Sequence, residues 1–361
     1  MAADPPGLDA KLAFLRLSTS FPEAAYRVEA METHMSWVFL LDEVVYKLKK
    51  PVCDDCLDFS TLEAREFNCK EELRLNRRLA PAVYLGIVSL NLDADGHLGL
   101  GGPGQVVDWL VRMRRLPERR MLDSLIAHGA LDDGDIARVA ATLAAFYSRL
   151  RPERPDPEAF RERLRRHIEA DAAGLAAVAS SLPPSLIGAV AGAQLAALVR
   201  LRDTFDARLR DGHIVEGHGD LRPEHVCLGR TVEIIDCLEF ARDLRILDVA
   251  DEVAYLALEC ERLGAPAAGA SLLDWYAQCS GDRPQPDLVS FYKSYRCLSR
   301  AHLALRHLQE PQLRHSAHWT LRAHDYMRLA KSHIDTIPRR RRARAARTSD
   351  PINIHGGAHD V

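Results

Sequence analysis

The sequence predicts an α+β protein in two lobes, a small one with an antiparallel sheet and a helix, and a larger, mainly helical one. Its 361 residues exceed what one small core needs and suit two. Strand-like and helix-like stretches alternate up to Pro117, after which helical patterns dominate, apart from a β-rich stretch over 213–240. We therefore expect an N-terminal extension over 1–24, an N-lobe over 25–115 and a C-lobe over 116–336.

The N-lobe begins with two short β-type runs, Val38–Leu41 and Val44–Leu48, separated by two acidic residues that suit a hairpin turn. Ser60 and Thr61 are good helix caps, and the apolar residues that follow recur at helical spacing up to Pro81. These signals predict a helix over Ser60–Ala80. Two further strands are expected, with a Gly-rich turn between them, at Val83–Leu90 and Val106–Met113.

The C-lobe carries long stretches of helical periodicity. They cover Asp135–Leu150, Pro157–Ala179, Ser185–Asp211, Leu247–Leu263, Pro286–Leu308 and His315–Ile334. The most apolar run, Leu186–Val199, is too short and too weakly hydrophobic to span a bilayer. The first residues lack the basic-then-apolar pattern of a signal peptide. Together these patterns predict a cytoplasmic protein without a membrane partner.

The net charge and the cysteine content limit the classes of partner expected for this chain. A net charge of −3 gives no general attraction to nucleic acid, and no specific nucleic-acid partner is expected. The eight cysteines are expected to be reduced in the cytosol. The close pair Cys53 and Cys56 is either a metal or redox site or a loop with two thiols. Residues 337–361 contain an Arg-rich run and no apolar periodicity, which predicts a disordered tail, solvated or touching an acidic partner.

The densest polar cluster follows the apolar pair Ile214-Val215 and contains Asp220; a second apolar run, sixteen residues on, ends at Asp236. We expect these two carboxylates at the ends of neighbouring strands. One would orient a hydroxyl and the other would hold a metal ion such as Mg²⁺, which prefers oxygen ligands. Phosphoryl transfer needs little more than this positioning and charge neutralisation. A single Asp would more simply be a turn residue, so the pair carries the hypothesis.

The pattern His218-x-Asp220-Leu221, then His225 five positions after Asp220, then Ile235-Asp236, resembles the catalytic and metal loops of aminoglycoside phosphotransferases. These are relatives of the protein kinases with a two-lobed, protein-kinase-like fold. The resemblance implies that Asp220 is the catalytic base, within a catalytic loop that begins at His218. It also implies that Asp236 binds magnesium.

Further positions match the same family. Glu239 matches an acidic residue of the metal loop, and Asp248 matches the aspartate that opens the next helix and braces the catalytic loop. The family's second metal ligand is an Asn, where this chain has His225. An imidazole favours transition metals over Mg²⁺. Three alternative outcomes follow from His225 at this position: an altered metal preference, a single-metal site or a damaged catalyst. His225 as a purely packed or hydrogen-bonding residue is the alternative.

A kinase also needs a strand lysine for the phosphates, paired with a helix glutamate. Val44–Lys47 is similar to the Val-Ala-Ile-Lys pattern, and Lys49, on the same strand face, is the reserve candidate. Glu72 is the best glutamate on the following helix, with Glu71 second. No Gly-x-Gly-x-x-Gly precedes the strand, which favours small-molecule kinases over protein kinases. No Walker-type phosphate loop is present.

The resemblance also indicates where ligands bind. Adenine would contact the interlobe linker, at Met113, Arg114 and Arg115 up to Leu116. The acceptor would sit against the helical lobe. Basic residues at helical spacing there form either a pocket for an acidic acceptor or a solvated helix face. The candidates are Lys293, Arg296 and Arg300, joined by Arg222 and Arg242 beside the catalytic segments.

Three N-terminal runs are similar to a bacterial subgroup of this family, within a resemblance over about residues 25–310: Glu32–Leu40, Tyr46–Pro51 and Glu71–Pro81. Its members are frequently fused to a C-terminal ATP-binding domain that this sequence lacks, so a separate ATP-binding-domain partner is one expectation. The predicted function is ATP- and Mg²⁺-dependent (or Mn²⁺-dependent) transfer of phosphate to a hydroxyl of a sugar, amino sugar or related metabolite. A nucleotide-binding pseudokinase with little turnover is the alternative, because of His225.

Overall fold

The structure, a computed structural model, describes residues 6–23, 25–54, 57–178, 182–309 and 317–338. Two sequence predictions concern positions beyond them. Cys56 of the close cysteine pair and the basic tail from residue 339 onward both lie outside the described residues.

The N-lobe is built on a six-stranded antiparallel sheet with the strand order β1-β2-β3-β8-β6-β7. The predicted hairpin is confirmed, since β2 and β3 pair with Leu40 opposite Val45. The first strand, the two short strands β4 and β5, and β7, which overlaps the predicted Gly-rich turn, were not predicted. The strands are β1 (Glu29–Glu32), β2 (Ser36–Leu40), β3 (Val44–Lys49), β4 (Cys53–Asp54), β5 (Leu57–Asp58), β6 (Tyr84–Leu92), β7 (Leu98–Leu100) and β8 (Gln105–Arg114).

Successive side chains of the central strand β3 point to opposite faces of the sheet. Tyr46 and Leu48 pack in an apolar cluster with Leu12 and Leu15 of helix α1 (Leu8–Leu15). Thus part of the predicted N-terminal extension belongs to the core of this lobe. Lys47 and Lys49, of the opposite parity, turn toward helix α2 (Leu62–Asn76) and meet its Glu72.

Helix α2 begins where its sequence predicts. The hydroxyl of Thr61 accepts a hydrogen bond from the Ala64 amide at 3.1 Å, which satisfies a free N–H of the first turn. The helix ends at Asn76, four residues before the predicted end, and Arg77–Ala80 form turns instead. From those turns the Arg78 side chain reaches the carbonyls of Glu216 and Gly217 in the C-lobe, and the chain then continues into β6 of the N-lobe sheet.

The C-lobe is mainly helical, as predicted. One expectation is wrong: the single helix over Ser185–Asp211 is two helices that meet at Leu201 with a bend of 59°. Helix α10 was missed, since its small residues give weak periodicity. The helices are α3 (Leu122–Ala127), α4 (Asp133–Tyr147), α5 (Pro157–Val178), α6 (Pro184–Arg200), α7 (Arg202–Arg210), α8 (Arg242–Arg245), α9 (Val249–Arg262), α10 (Pro266–Ser280), α11 (Pro286–Arg306) and α12 (Ala317–Thr336).

Four short strands carry the polar cluster, β9 (Ile214–Glu216), β10 (Val226–Leu228), β11 (Val232–Ile234) and β12 (Ile246–Asp248). They form two separate pairs, β9 with β12 and β10 with β11. The expectation that Asp220 and Asp236 follow neighbouring strands is therefore wrong. Loop contacts join the two segments instead: the Leu238 amide donates to the His218 carbonyl at 3.0 Å.

Among the described residues, no single helix combines the length and apolar character needed to cross a membrane. The bent pair α6 and α7 meets that requirement only when the two helices are taken together.

Candidate active site

Lys47 lies where the lobes meet. Its ammonium donates to Glu72 of α2 at 2.9 Å and to Asp236 of the C-lobe, also at 2.9 Å. Burial alone would lower the pKa of Lys47, but the carboxylates of Asp236 and Glu72 raise it well above its usual value. The lysine is therefore permanently charged. The structure thus brings together the three residues that the sequence proposed for phosphate and metal binding.

Lys49 occupies a second, sealed position behind Lys47. Its ammonium has no solvent exposure and donates to Glu72 at 2.7 Å and to Glu239. Glu239 was expected to bind metal, but its carboxylate is buried and held by Lys49. This expectation is corrected: Glu239 balances an internal lysine. Lys49, the reserve candidate for phosphate binding, has no face open to a ligand.

Asp236 adopts an unusual backbone conformation, with φ at +62°. It is the one non-glycine residue with positive φ in the described part of the chain, and an L-residue there costs about 1 kcal/mol. Two contacts hold the turn: the Asp236 amide donates to the Tyr84 hydroxyl, and the Cys237 amide donates to Asn76 Oδ1 at 2.8 Å. As a result the Asp236 side chain is 47% exposed and faces the cleft.

Asp220 lies in a ring of cationic and hydroxyl groups. Its Oδ2 accepts from Arg222 Nε at 3.0 Å, and its Oδ1 accepts from the Tyr255 hydroxyl at 3.2 Å. Arg300 Nη1 lies 3.8 Å from the same Oδ1. Burial alone would raise the pKa of Asp220, but Arg222 and Arg300 hold it well below its usual value. The carboxylate is ionised at any physiological pH, suited to orienting a hydroxyl.

His225 joins the two carboxylate segments. Its Nδ1 bonds the Asp220 carbonyl at 2.8 Å, so Nδ1 carries the proton. Its Nε2 accepts from Arg222 Nη2 at 3.1 Å and lies 3.6 Å from Asp236 Oδ2. The ring is nearly buried, and the Nε2 atom that accepts from Arg222 lies beside the Asp236 carboxylate. The ring is therefore packed and hydrogen-bonded, as the alternative interpretation expected, while a contact between His225 and a metal stays a prediction.

The catalytic loop is braced by a residue that the sequence did not reveal. Glu252, in α9, accepts from the His218 amide at 3.0 Å and from the Gly219 amide. A Cβ at Gly217 would lie 2.5 Å from Glu252 Oε2, so this close approach requires glycine. Asp248, the expected brace, instead caps α9 and binds Arg208 and Tyr292. Asp248 thus opens the next helix, as expected, whereas the bonds to the loop amides come from Glu252.

His218 was grouped with the catalytic residues, but its side chain is fully buried. Its Nε2 bonds the Ile235 carbonyl at 2.9 Å, which ties the catalytic loop to the residue before Asp236. Burial lowers the pKa of His218 to about 4, so the ring is neutral near pH 7. His218 positions the loops and does not face the cleft.

The interlobe linker was expected to contact adenine, but two of its backbone amides already have hydrogen-bond partners within the protein. The amides of Arg114 and Arg115 already donate to the carbonyls of Val83 and Glu43, both at 2.8 Å. The next amide, at Leu116, is the first with no backbone partner in the described structure. Partly buried Met113 and Leu116 of the linker pack in one apolar cluster with Ile235 of the C-lobe, next to Asp236.

The expected acceptor residues separate into two groups. Arg222 and Arg300 adjoin Asp220, as described. Two have partners elsewhere, since Lys293 pairs with Glu261 at 3.3 Å and Arg242 pairs with Glu153 at 2.6 Å. Arg296 forms two bonds with Asp251 at 2.7 Å and also donates to the Gly219 carbonyl, next to Asp220, at 3.2 Å. Tyr255 and Glu252 were missed because an acid and a tyrosine in an amphipathic helix carry no separate sequence signal. Their spacing of three residues along α9 is the only hint.

Comparison by sequence finds similar proteins in mycobacteria. No protein-family model matches the chain. Uncharacterized proteins of Mycobacterium tuberculosis and Mycobacterium bovis are 33% identical over 284 residues, or 76% of this chain. The chain spans 54% of the length of these relatives.

Comparison with solved structures shows the fold. A choline/ethanolamine kinase family protein from Mesorhizobium loti matches with a TM-score of 0.53 and 15% identity, over 90% of this chain and 95% of that one. A choline kinase from Cryptosporidium parvum matches with a TM-score of 0.51 and 10% identity, over 91% and 97%. The two-lobed, kinase-like fold expected from the sequence is therefore confirmed. A separate ATP-binding-domain partner stays a prediction.

Proposed function

We propose that this chain is an ATP-dependent phosphotransferase that transfers the γ-phosphate to a hydroxyl of a small molecule. One observation carries the proposal: a lysine from the N-lobe sheet, a glutamate from its helix and an aspartate from the C-lobe meet at 2.9 Å contacts. These are the parts that phosphoryl transfer in kinase-like folds requires, since catalysis there is positioning plus charge stabilisation. The kinase-like fold supports the same conclusion.

The nucleotide would lie along the cleft between the lobes. Lys47 binds its phosphates, and Met113, Leu116 and Ile235 present apolar surface to adenine. A divalent cation fits Asp236, because Mg²⁺ commonly takes one or two protein carboxylates and completes its shell with phosphate and water. His225 Nε2, 3.6 Å from Asp236 Oδ2, would favour Mn²⁺ over Mg²⁺. The cation would neutralise charge on the transferred phosphate.

Asp220 would orient the acceptor hydroxyl. Its low pKa makes it a weak base, which suits a loose transition state in which the acceptor proton leaves late. Sugars, amino sugars and related metabolites carry the required hydroxyl. Choline and ethanolamine, named for the two solved structures, are hydroxyl compounds as well.

A second candidate, a nucleotide-binding regulatory protein with weak turnover, is favoured by two observations. Both oxygens of Asp220 already accept hydrogen bonds, from Arg222 and Tyr255. In addition, His225 stands at the position of the second metal ligand of the resembling family. Metal-independent ATP binding by the wild-type chain, with no ADP formed from any hydroxyl compound, would select this candidate.

The deciding experiment is ADP formation from ATP with Mg²⁺ or Mn²⁺ and a panel of hydroxyl compounds. Asp220→Asn is expected to lower turnover by roughly 100-fold or more, because it removes the charge that orients the hydroxyl and takes up its proton. Asp274→Asn, at an exposed position of α10, is the matched control and should leave turnover unchanged. Equal turnover by the Asp220 variant and the wild type contradicts the assigned role.

A further inference from the structure

Two mostly buried arginines of the C-lobe, Arg300 and Arg322, have no hydrogen-bond partner in the described structure. Arg300 of α11 has no hydrogen bond among the described residues, and its closest carboxylate is the shared Asp220, at 3.8 Å. Arg322 of α12 has neither a hydrogen bond nor an ion pair in the described structure and lies over the Trp319 ring, with 5.6 Å from its guanidinium carbon to the ring centre. Both side chains are mostly buried rather than solvated.

The acidic groups nearby are already committed. Glu259 is fully buried and accepts from Arg262 Nε and from the Tyr326 hydroxyl, both at 2.7 Å. Glu224 pairs with Arg222. No carboxylate in the described residues lies within 4 Å of Arg322, and positive charge is therefore in excess around Arg300 and Arg322.

The geometry of the two guanidinium groups indicates which atoms are available. The Nε atoms of Arg300 and Arg322 are closed off from solvent without an acceptor. The terminal nitrogens are not enclosed in this way, and Nη1 of Arg300 lies 3.8 Å from Asp220 Oδ1. A half-buried guanidinium without an acceptor is costly, since unsatisfied buried charge loses hydration.

The charges also act on one another. Burial lowers the pKa of Arg322, and repulsion by Arg262 and Arg300 lowers it further. The cations come from three helices that pack together: the guanidinium carbon of Arg262 lies 5.5 Å from the ring centre of Tyr326, one turn after Arg322 on α12. An anion between them would relieve the repulsion, whereas an ammonium group would increase it.

We propose that Arg300 and Arg322 bind an oxyanion of the acceptor, a phosphate or a carboxylate, and thereby place its hydroxyl at Asp220. This substrate class rests on the proposed phosphotransferase function. In the reaction the acceptor oxygen forms a bond to the γ-phosphorus, the bond from that phosphorus to the ADP oxygen breaks, and the hydroxyl proton passes to Asp220 and then to water. Guanidinium groups match both oxyanions through paired hydrogen bonds.

The first test measures binding without turnover. A non-hydrolysable ATP analogue with Mn²⁺ is titrated into the protein by calorimetry, and inorganic phosphate is then titrated into the loaded protein at constant ionic strength. Wild type is expected to bind both. Arg322→Gln should keep analogue affinity and bind phosphate roughly ten- to one-hundred-fold more weakly, as expected for a charged hydrogen bond. Arg328→Gln, an exposed change on the same helix, should match wild type.

The second test uses wild type alone, so it does not depend on the folding of a variant. ADP formation is compared for matched acceptors: a neutral hexose, its 6-phosphate, its 6-carboxylate and its 2-amino form. The phosphate or the carboxylate compound should exceed the neutral and amino compounds by at least about tenfold, and which of the two is preferred identifies the oxyanion.

The outcomes separate the two proposals. No binding of the ATP analogue overturns the phosphotransferase assignment itself. Analogue binding with equal phosphate affinity in wild type and Arg322→Gln, or preference for the neutral or amino hexose, overturns the oxyanion site and leaves the phosphotransferase assignment standing.

Discussion

Lys47 and Lys49 share a strand, a face and a carboxylate partner, yet they differ in access to the cleft. The Lys47 side chain is 15% exposed, whereas Lys49 is fully enclosed between Glu72 and Glu239. A buried ion pair rarely adds net stability, but removing one partner leaves an uncompensated charge. The inner lysine therefore fixes Glu72, and the outer lysine is available for ligands.

His225 provides a test of metal preference at a single residue. His225→Asn replaces the imidazole with an amide oxygen, a harder ligand that suits Mg²⁺. We expect the ratio of turnover with Mg²⁺ to turnover with Mn²⁺ to rise by roughly tenfold. Steady-state ADP formation at saturating ATP measures it, with metal-free ADP binding as the control for folding. An unchanged ratio would show that the imidazole does not contact the cation.

His218 predicts a pH dependence of stability. Burial lowers the pKa of His218 in the folded state to about 4, from the ordinary 6.5. Between these two pH values the imidazole is therefore protonated in the unfolded chain and neutral in the folded chain. Above pH 6.5 the ring is neutral in both states and has no such effect. Between pH 7 and pH 5 it should lower the free energy of unfolding by about 2 kcal/mol. Urea unfolding measures this, and His218→Gln should show a flatter profile over the same range.

At the scale of elements, the first turns of α9 organise the catalytic loop. Asp248 caps the helix, Glu252 binds the loop amides and Tyr255 reaches Asp220. Positions three and four apart lie on one helix face, so one rigid element sets both the loop and the orientation of the catalytic carboxylate.

Glu252→Gln is expected to loosen this loop. A neutral amide of the same shape still offers one acceptor oxygen, but its NH₂ group faces a loop amide that is itself a donor. We expect turnover to fall by roughly tenfold while ATP affinity stays the same. Steady-state kinetics and calorimetry measure the two quantities. Glu158→Gln, at an exposed position in the first turn of α5, is the control; equal kinetics for both variants would remove Glu252 from the positioning role.

Patterns of local origin were predictable from the sequence, and patterns of tertiary origin were not. The β2–β3 hairpin and the Thr61 cap depend on neighbouring residues, and both were predicted. The bend at Leu201 lies within continuous helical periodicity, so no local signal marks it. Likewise, the choice of Glu252 over Asp248 as the brace depends on which side of α9 packs on the loop. The positions of Lys47, Glu72, Asp220 and Asp236 followed from motifs, whereas the pairing of Glu239 required three-dimensional contacts.

On the scale of the whole molecule, the lobes are joined by polar contacts from the end of α2. Arg78 donates to the carbonyls of Glu216 and Gly217 at 2.8 and 2.7 Å, and Asn76 accepts from the Cys237 amide. The helix that carries Glu72 is thus fixed to both catalytic segments. Movement of α2 would shift the phosphate site and the metal loop together.

Arg78→Ala should uncouple the two lobes. It removes two hydrogen bonds to buried carbonyls, at a cost on the order of 1–3 kcal/mol. We expect N-lobe amides to exchange hydrogen faster than in the wild type while C-lobe amides change little, as measured by mass spectrometry on peptides. Arg77→Ala is the matched control, because Arg77 bonds only Tyr84 and Leu85 within its own lobe in the described structure. Uniform acceleration in both lobes would contradict the prediction.

The contact between Lys47 and Asp236 has a consequence for the order of events. Before any ligand arrives, the carboxylate assigned to the cation already holds an ammonium group. A free cation must displace that group unaided, whereas a cation already complexed to a nucleotide brings phosphate oxygens that give the lysine a new partner. We therefore expect the two ligands to enter as one species. The initial velocity should follow the concentration of the metal–nucleotide complex, and preincubation with metal alone should not raise that velocity.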